Sequence, residues 1–289
     1  MKKISAFISL CVVALLIVGC DKDYVYEKGD YQYENKGLTY LENYNGILIH
    51  WADKVSDEQK EVIRDIASSM VLVENGSFTM GCADASAFAD EAPAHQVTLS
   101  DYYLAKFPVT QKQWRVIMGY AMDWNSIYGA GDEFPATNIS ISDVDLFLKQ
   151  LNQMSGLNFR KPTEAEWEFA ARGGNSTHGY QYSGSNNADE VAWHQGNANQ
   201  KLHQPGGLKA NELGLYDMSG NIYEWCEDHY APYPTEAQTN PTGPETGNGR
   251  VVRGGSISYE ADYARVSARN HIPAETRSFV VGLRLAMTR

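Results

Sequence analysis

After Gly173-Gly174 the chain loses the regular spacing of its apolar residues and never recovers it for long. Residues 174–212 are dominated by Gly, Asn, Ser, His and Gln, and residues 230–250 carry four prolines and several glycines. A helix repeats its apolar face every 3.6 residues and a strand every 2, so neither stretch can form one long regular element. Irregular runs of this length are uncommon inside a compact domain unless they are functional or braced by a metal. The chain must therefore pack long loops onto a small regular frame.

Ahead of that point the frame is legible. Ser56 with Gln59 three residues on has the spacing of a capping box, and Val62, Ile63, Ile66 and Ala67 follow on one helical face as far as about Ser69. Met70 to Val73 and Phe78 to Gly81 read as strands on either side of a turn at Gly76, and Gln96 to Leu99 alternates as a half-buried strand does. Thr110 with Gln113 predicts a second helix. Ser142 is taken as the cap of a third, ending before Gly156, and Thr163 with Glu166 opens a fourth that stops at Gly173-Gly174. The tryptophans Trp114, Trp167, Trp193 and Trp225 are expected in the core, since large aromatics dominate burial.

The N-terminus reads as an address. Lys2 and Lys3 precede an uncharged apolar run, Ile4 to Val18, too short to span a bilayer comfortably. The run ends Leu16-Ile17-Val18-Gly19-Cys20, which resembles the lipobox of bacterial lipoproteins. The resemblance implies a signal peptide over 1–19, a lipidated Cys20 and a membrane anchor. Acidic residues directly after Cys20 are similar to signals that sort lipoproteins to the outer membrane of Gram-negative bacteria. Residues 20–54, rich in tyrosine, then form a tether that docks in part, 55–69 the first helix, and 70–289 one domain. Of the cysteines left, Cys82 and Cys226 can either pair in an oxidising envelope or stay as two buried thiols. A formal charge of −12 and a pI near 5.0 argue against a nucleic-acid partner.

Four ordered segments carry the strongest signal: Phe78-Thr79-Met80-Gly81, then Arg160 to Gly174 with Glu164-Ala165-Glu166-Trp167-Glu168, then Asn211 to Trp225 with Gly220-Asn221-Ile222-Tyr223-Glu224-Trp225, and finally Arg253-Gly254-Gly255-Ser256 with Gly282-Leu283-Arg284. Together they resemble the sulfatase-modifying-factor family of formylglycine-generating enzymes over about Met70 to Arg289. The resemblance implies that family's C-type-lectin-like α+β fold, with long packed loops. Its active members oxidise a sulfatase cysteine with copper held by two thiolates, and Cu(I) prefers soft sulfur. The two cysteine positions fall here on Tyr259 and Ala264, and no cysteine follows Cys226. Copper is therefore not expected. The family's iron-dependent sulfoxide synthases need a His-x-x-x-His pair, and no two histidines here have that spacing.

The resemblance also implies a structural calcium held by the side chains of Asp217 and Glu224 and the carbonyls of Gly220 and Ile222, hard oxygen donors from a tight turn. The alternative is that Glu224 pairs with an arginine and the loop packs without metal. Arg253, Arg269 and Arg284 are expected in buried ion pairs, and Arg172 and Glu166 in structural roles. A candidate groove comprises Ser256, Tyr259, Glu260, Tyr263 and Arg269. The function expected is a lipid-anchored envelope protein without copper oxidase chemistry, a binding or scaffold module for an envelope protein, peptide or glycan. A formylglycine-generating oxidoreductase and a calcium-dependent glycan binder are the alternatives.

Overall fold

The computed structural model describes residues 31–33, 40–44, 46–85, 87–124 and 127–289. The signal segment 1–19 and Cys20 lie outside the described residues. Among the described residues no helix is long and apolar enough to cross a membrane.

Helices begin where side chains satisfy the free N–H groups of the first turn. Ser56, Thr110 and Thr163 each accept from the backbone N–H three residues on, and the glutamine or glutamate there reaches back to the cap. The helices they open are Asp57–Ser68, Gln111–Met118 and Glu164–Ala171. The third cap is Ser140, not Ser142: its hydroxyl accepts from the Asp143 N–H, Asp143 bonds back, and the helix runs Ile141–Ser155. Ser142 instead donates to Glu275. Gly156 ends this helix in the left-handed conformation expected of it.

Two four-stranded sheets form the frame. In one, the C-terminal strand Ala286–Thr288 lies between Tyr102–Ala105 and Phe159–Arg160, with Met70–Val73 at the edge, all antiparallel. The last residues of the chain thus tie together three segments far apart in sequence. In the other, Arg250–Arg253 lies between Arg269–Ile272 and Tyr223–His229, and Val281–Gly282 adds to Tyr223–His229 in parallel. A smaller sheet pairs Gly76–Met80, His95–Leu99 and Gln238–Thr239. His95–Leu99 alternates buried and exposed residues, as its sequence pattern requires.

The first helix buries Val62, Ile63, Ile66 and Ala67 in one large core cluster with Trp114, Phe147 and Trp225. Part of the tether docks there too. Tyr31–Tyr33, Tyr40–Tyr44 and Ile47–His50 form an antiparallel sheet, and Ile47, Ile49 and Trp51 enter the same core. Glu42 is buried and paired with Arg64. A second cluster centres on Trp167 and Phe169. Trp114, Trp167 and Trp225 are fully buried, whereas Trp193 is only half-buried and stacks on His203 at 3.7 Å.

Candidate functional site

The helix Glu164–Ala171 is buried on every side, including Glu164, Glu166 and Glu168. An ionised carboxylate survives such burial only with a hydrogen-bonded cation beside it. Each of the three has one. Glu164 receives two bonds from Arg269 at 2.8 and 2.6 Å. Glu166 receives two from Arg160. Glu168 lies 2.5 Å from Arg253 and also accepts from Arg172. Burial pushes the Glu168 carboxyl up, but Arg172 and Arg253 outweigh it and hold the group below the usual carboxylate range. Arg253 also donates from Nη1 and Nη2 to the carbonyls of Val266, Ser267 and Ala268, which anchors the segment after the Arg-Gly-Gly-Ser turn. The expected arginine pairs are thus present. Arg172 and Glu166 also belong to this lattice.

The Gly220–Trp225 segment is locked in the same manner. Glu224 accepts from Arg284 at both carboxylate oxygens and from the Trp167 indole at 2.7 Å, and both charged residues are fully buried. Gly220 is in the left-handed region, and a Cβ there would lie 2.4 Å from the Trp193 carbonyl oxygen. Asp217 accepts from the Gly206 N–H and from Asn221, and burial raises its carboxyl to about 6. The calcium set does not fit an ion as arranged. Glu224 faces a guanidinium, Asp217 is engaged by Gly206 and Asn221, and the Gly220 carbonyl accepts from Ile222. No group of three or more His, Cys, Asp or Glu among the described residues is placed to hold a metal. The arginine-paired alternative for Glu224 is the one the geometry shows.

Gly255 explains the turn before Ser256. It is left-handed, and a Cβ would lie 2.8 Å from the Tyr263 carbonyl and 2.9 Å from the Ala264 backbone. That contact fixes Ala264, whose methyl is buried in a small apolar cluster with Tyr182, Val191 and Ala192. Tyr259 lies at the surface, 37% exposed. A phenol in solvent and a methyl in an apolar cluster cannot supply the two soft donors that copper needs. The remaining thiols do not substitute for them. Cys82 and Cys226 are both free, and Cys226 sits in the second core cluster, where burial raises its thiol well above the ordinary range. Of the two open readings for these cysteines, the structure shows the unpaired one, with Cys226 buried and Cys82 half-buried.

The groove differs from its expected membership. Tyr259, Glu260 and Tyr263 do come together at the surface, with Tyr263 half-buried. Ser256 is buried beneath them, and its hydroxyl accepts from the Ser258 N–H. Arg269 is not part of the groove: it is 5% exposed, pinned by Glu164, and its guanidinium lies 3.8 Å from the Tyr233 ring centroid. Two residues that sequence reasoning missed extend the row of rings, half-buried Phe88 at one end and buried Tyr223, 3% exposed, at the other. Phe88 packs on Tyr263 at 4.8 Å, Tyr263 on Tyr259 at 5.1 Å, and Tyr259 edge-on to Tyr223 at 5.3 Å. The result is a row of four rings with Glu260 and Asp262 exposed beside it. Phe88 lies in a loop without any periodic signal, so only the folded chain brings it here.

Elsewhere, the proline-rich loop roofs an open cavity of about 480 Å³ lined by Glu164, Asp228, Tyr233, Arg269 and four prolines. Asp228 is 5% exposed and has no salt-bridge partner. Burial, with help from the nearby Glu164 carboxylate, raises it to about 8.

Comparisons with known proteins agree with this geometry. The model of the sulfatase-modifying factor enzyme 1-like domain matches residues 55–289, so the match takes in the first helix as well as the sheets. Chaperone protein LppX of Paenibacillus barcinonensis is 30% identical over 274 residues, covering 78% of this chain and 91% of that protein. The formylglycine-generating enzyme of Thermomonospora curvata is 26% identical, covering 77% of this chain and 94% of the enzyme. The structure of Treponema denticola variable protein 1 superposes with a TM-score of 0.66 at 25% identity, covering 86% of this chain and 98% of that one. With its arginine-paired frame and a matching domain model over most of its length, the chain belongs to the sulfatase-modifying factor enzyme 1-like family.

Proposed function

We propose that this protein is anchored by lipid at Cys20 to the outer membrane of a Gram-negative bacterium, and that its domain is a binding or scaffold module that has given up copper oxidation. The observation that carries the reading is the pair at 259 and 264. The frame around them is intact, yet one position holds an exposed tyrosine and the other a methyl sealed in an apolar cluster. The accessible rings of the row, Phe88, Tyr263 and Tyr259, with Tyr223 buried behind them, are the docking face, since amphipathic rings supply contact area at low entropic cost. The name of LppX, a chaperone, favours a protein or peptide client over an oxidisable substrate.

Incubating the purified chain with copper, oxygen and a sulfatase-motif peptide tests the loss of chemistry. The peptide cysteine should keep its mass. Conversion to formylglycine above a metal-free control would restore the oxidoreductase reading. Fatty-acid labelling that disappears in Cys20→Ala supports the anchor, and labelling that persists refutes it. A peptide library and a glycan array, each run with and without calcium, decide the ligand class. Calcium-dependent glycan signal alone would replace the protein-binding reading.

A further inference from the structure

Of the eight buried carboxyl side chains among the described residues, six are glutamates and each touches an arginine: Glu42, Glu91, Glu164, Glu166, Glu168 and Glu224. The two aspartates do not. Asp217 is enclosed and bonded by Gly206 and Asn221. Asp228 and Glu164 both line an open cavity of about 480 Å³, but only Asp228 does so without an arginine on its carboxylate. Its Oδ2 accepts from the Glu164 N–H, and among the described residues no side chain donates to this carboxylate.

The walls of this cavity favour a positive ligand. Pro232, Pro234, Pro241 and Pro244 all line it and contribute no N–H donor, only carbonyls and CH2 groups. Arg269, the arginine in the wall, is spent on Glu164 and on the carbonyls of Asp90 and Ala231, so an anion finds no free fork. Glu164 is equally spent, on Arg269 and on the Tyr233 hydroxyl. One free carboxylate oxygen is too little for a divalent ion, which takes several oxygen ligands. It is also too little for a guanidinium, which recognises two coplanar oxygens. It suits a compact ammonium.

We infer that this cavity is a binding site for a primary ammonium group, as on a lysine side chain, with Asp228 as its counter-ion. The site is separate from the aromatic row, and its existence does not depend on the fate of the copper positions. Burial raises Asp228 to about 8, and it faces Glu164 and Glu166 of the helix, Cys226 of its own strand, and Tyr233, His95, His229 and Arg269 in or near the walls. An arriving ammonium favours the ionised carboxyl, so binding at neutral pH expels a proton and affinity rises with pH until about 8.

The test is calorimetric titration of the full chain with Nα-acetyl-lysine methylamide, in two buffers of different ionisation enthalpy. Binding with release of about one proton near neutral pH is expected, together with no binding of the Nε-acetylated analogue. Asp228→Asn should lose at least about thirtyfold in affinity, as when one partner of a buried charge pair is removed. That variant keeps an oxygen for the Glu164 N–H, and an unshifted or higher melting temperature will show that it is folded. Absence of binding by the native chain, equal binding of the neutral analogue, binding without proton release, or an unaffected Asp228→Asn would each overturn the site.

Discussion

Two sets of buried acids lie within one short stretch of this molecule and meet opposite fates. On the helix Glu164–Ala171, every glutamate is matched by an arginine. On the neighbouring strand, Asp228 is buried nearly as deeply, touches the first N–H of that same helix, and has no salt-bridge partner among the described residues. Burial alone therefore does not tell a frame residue from a candidate site residue. The partner does. A paired carboxylate is committed to holding segments together, while an unpaired one at a cavity wall stores an unfavourable protonation state that a ligand can relieve.

The contrast breaks most visibly at Arg284. Arg284→Met leaves Glu224 ionised and buried with only the Trp167 indole, and should cost about 3–5 kcal/mol in urea unfolding. A loss near zero would mean the lattice is not what stabilises the frame. Asp228→Asn should act in the other direction. The folded carboxyl holds its proton up to about 8 from an ordinary 3.8, while the unfolded chain releases it near 4. Native stability on this account falls as pH climbs between those values, and asparagine removes the slope. The variant should match the native chain below about pH 4 and gain about 4 kcal/mol near pH 7. A constant difference across pH would sink the assignment.

Smaller effects sharpen the surface half of the comparison. Tyr259→Ala removes a ring that is already 37% exposed, so stability should change by less than about 1 kcal/mol while client capture falls. Chelation should leave the melting temperature unmoved, because Glu224 has its counter-charge in Arg284 and needs no ion. A drop on chelation would reinstate calcium. Least of all, a thiol reagent should label half-buried Cys82 in the native chain and reach Cys226 only after unfolding.

Much of the frame could be read before folding, for identifiable reasons. Capping boxes at Ser56, Thr110 and Thr163 are local, since cap and partner are three residues apart. At Ser140-Ile141-Ser142-Asp143 two serines compete, and the choice falls to Ser140 because Asp143 can close a box only with it. The arginines announced themselves as ion-pair members by their motifs. Their partners stood 85 to 105 residues away for Arg253 and Arg269, a distance that no local pattern spans. Three glutamates within five residues look like the solvated side of a helix. They are buried because those distant arginines arrive on several sides at once. Arg269 lies six residues after Tyr263 in sequence, yet at the start of its strand it pairs with Glu164 and stays out of the groove.

What the sequence determined by itself was the family and the helix starts at Ser56, Thr110 and Thr163, because identity and short-range spacing are properties of the chain alone. What only the tertiary structure decided was which charges are neutralised. Phe88 joins Tyr263, Arg284 fills the place proposed for an ion beside Glu224, and Asp228 is left without a counter-charge at the wall of a cavity. The energy of a buried charge depends on what lies within a few ångströms of it in space, and that neighbourhood does not exist until the chain has folded.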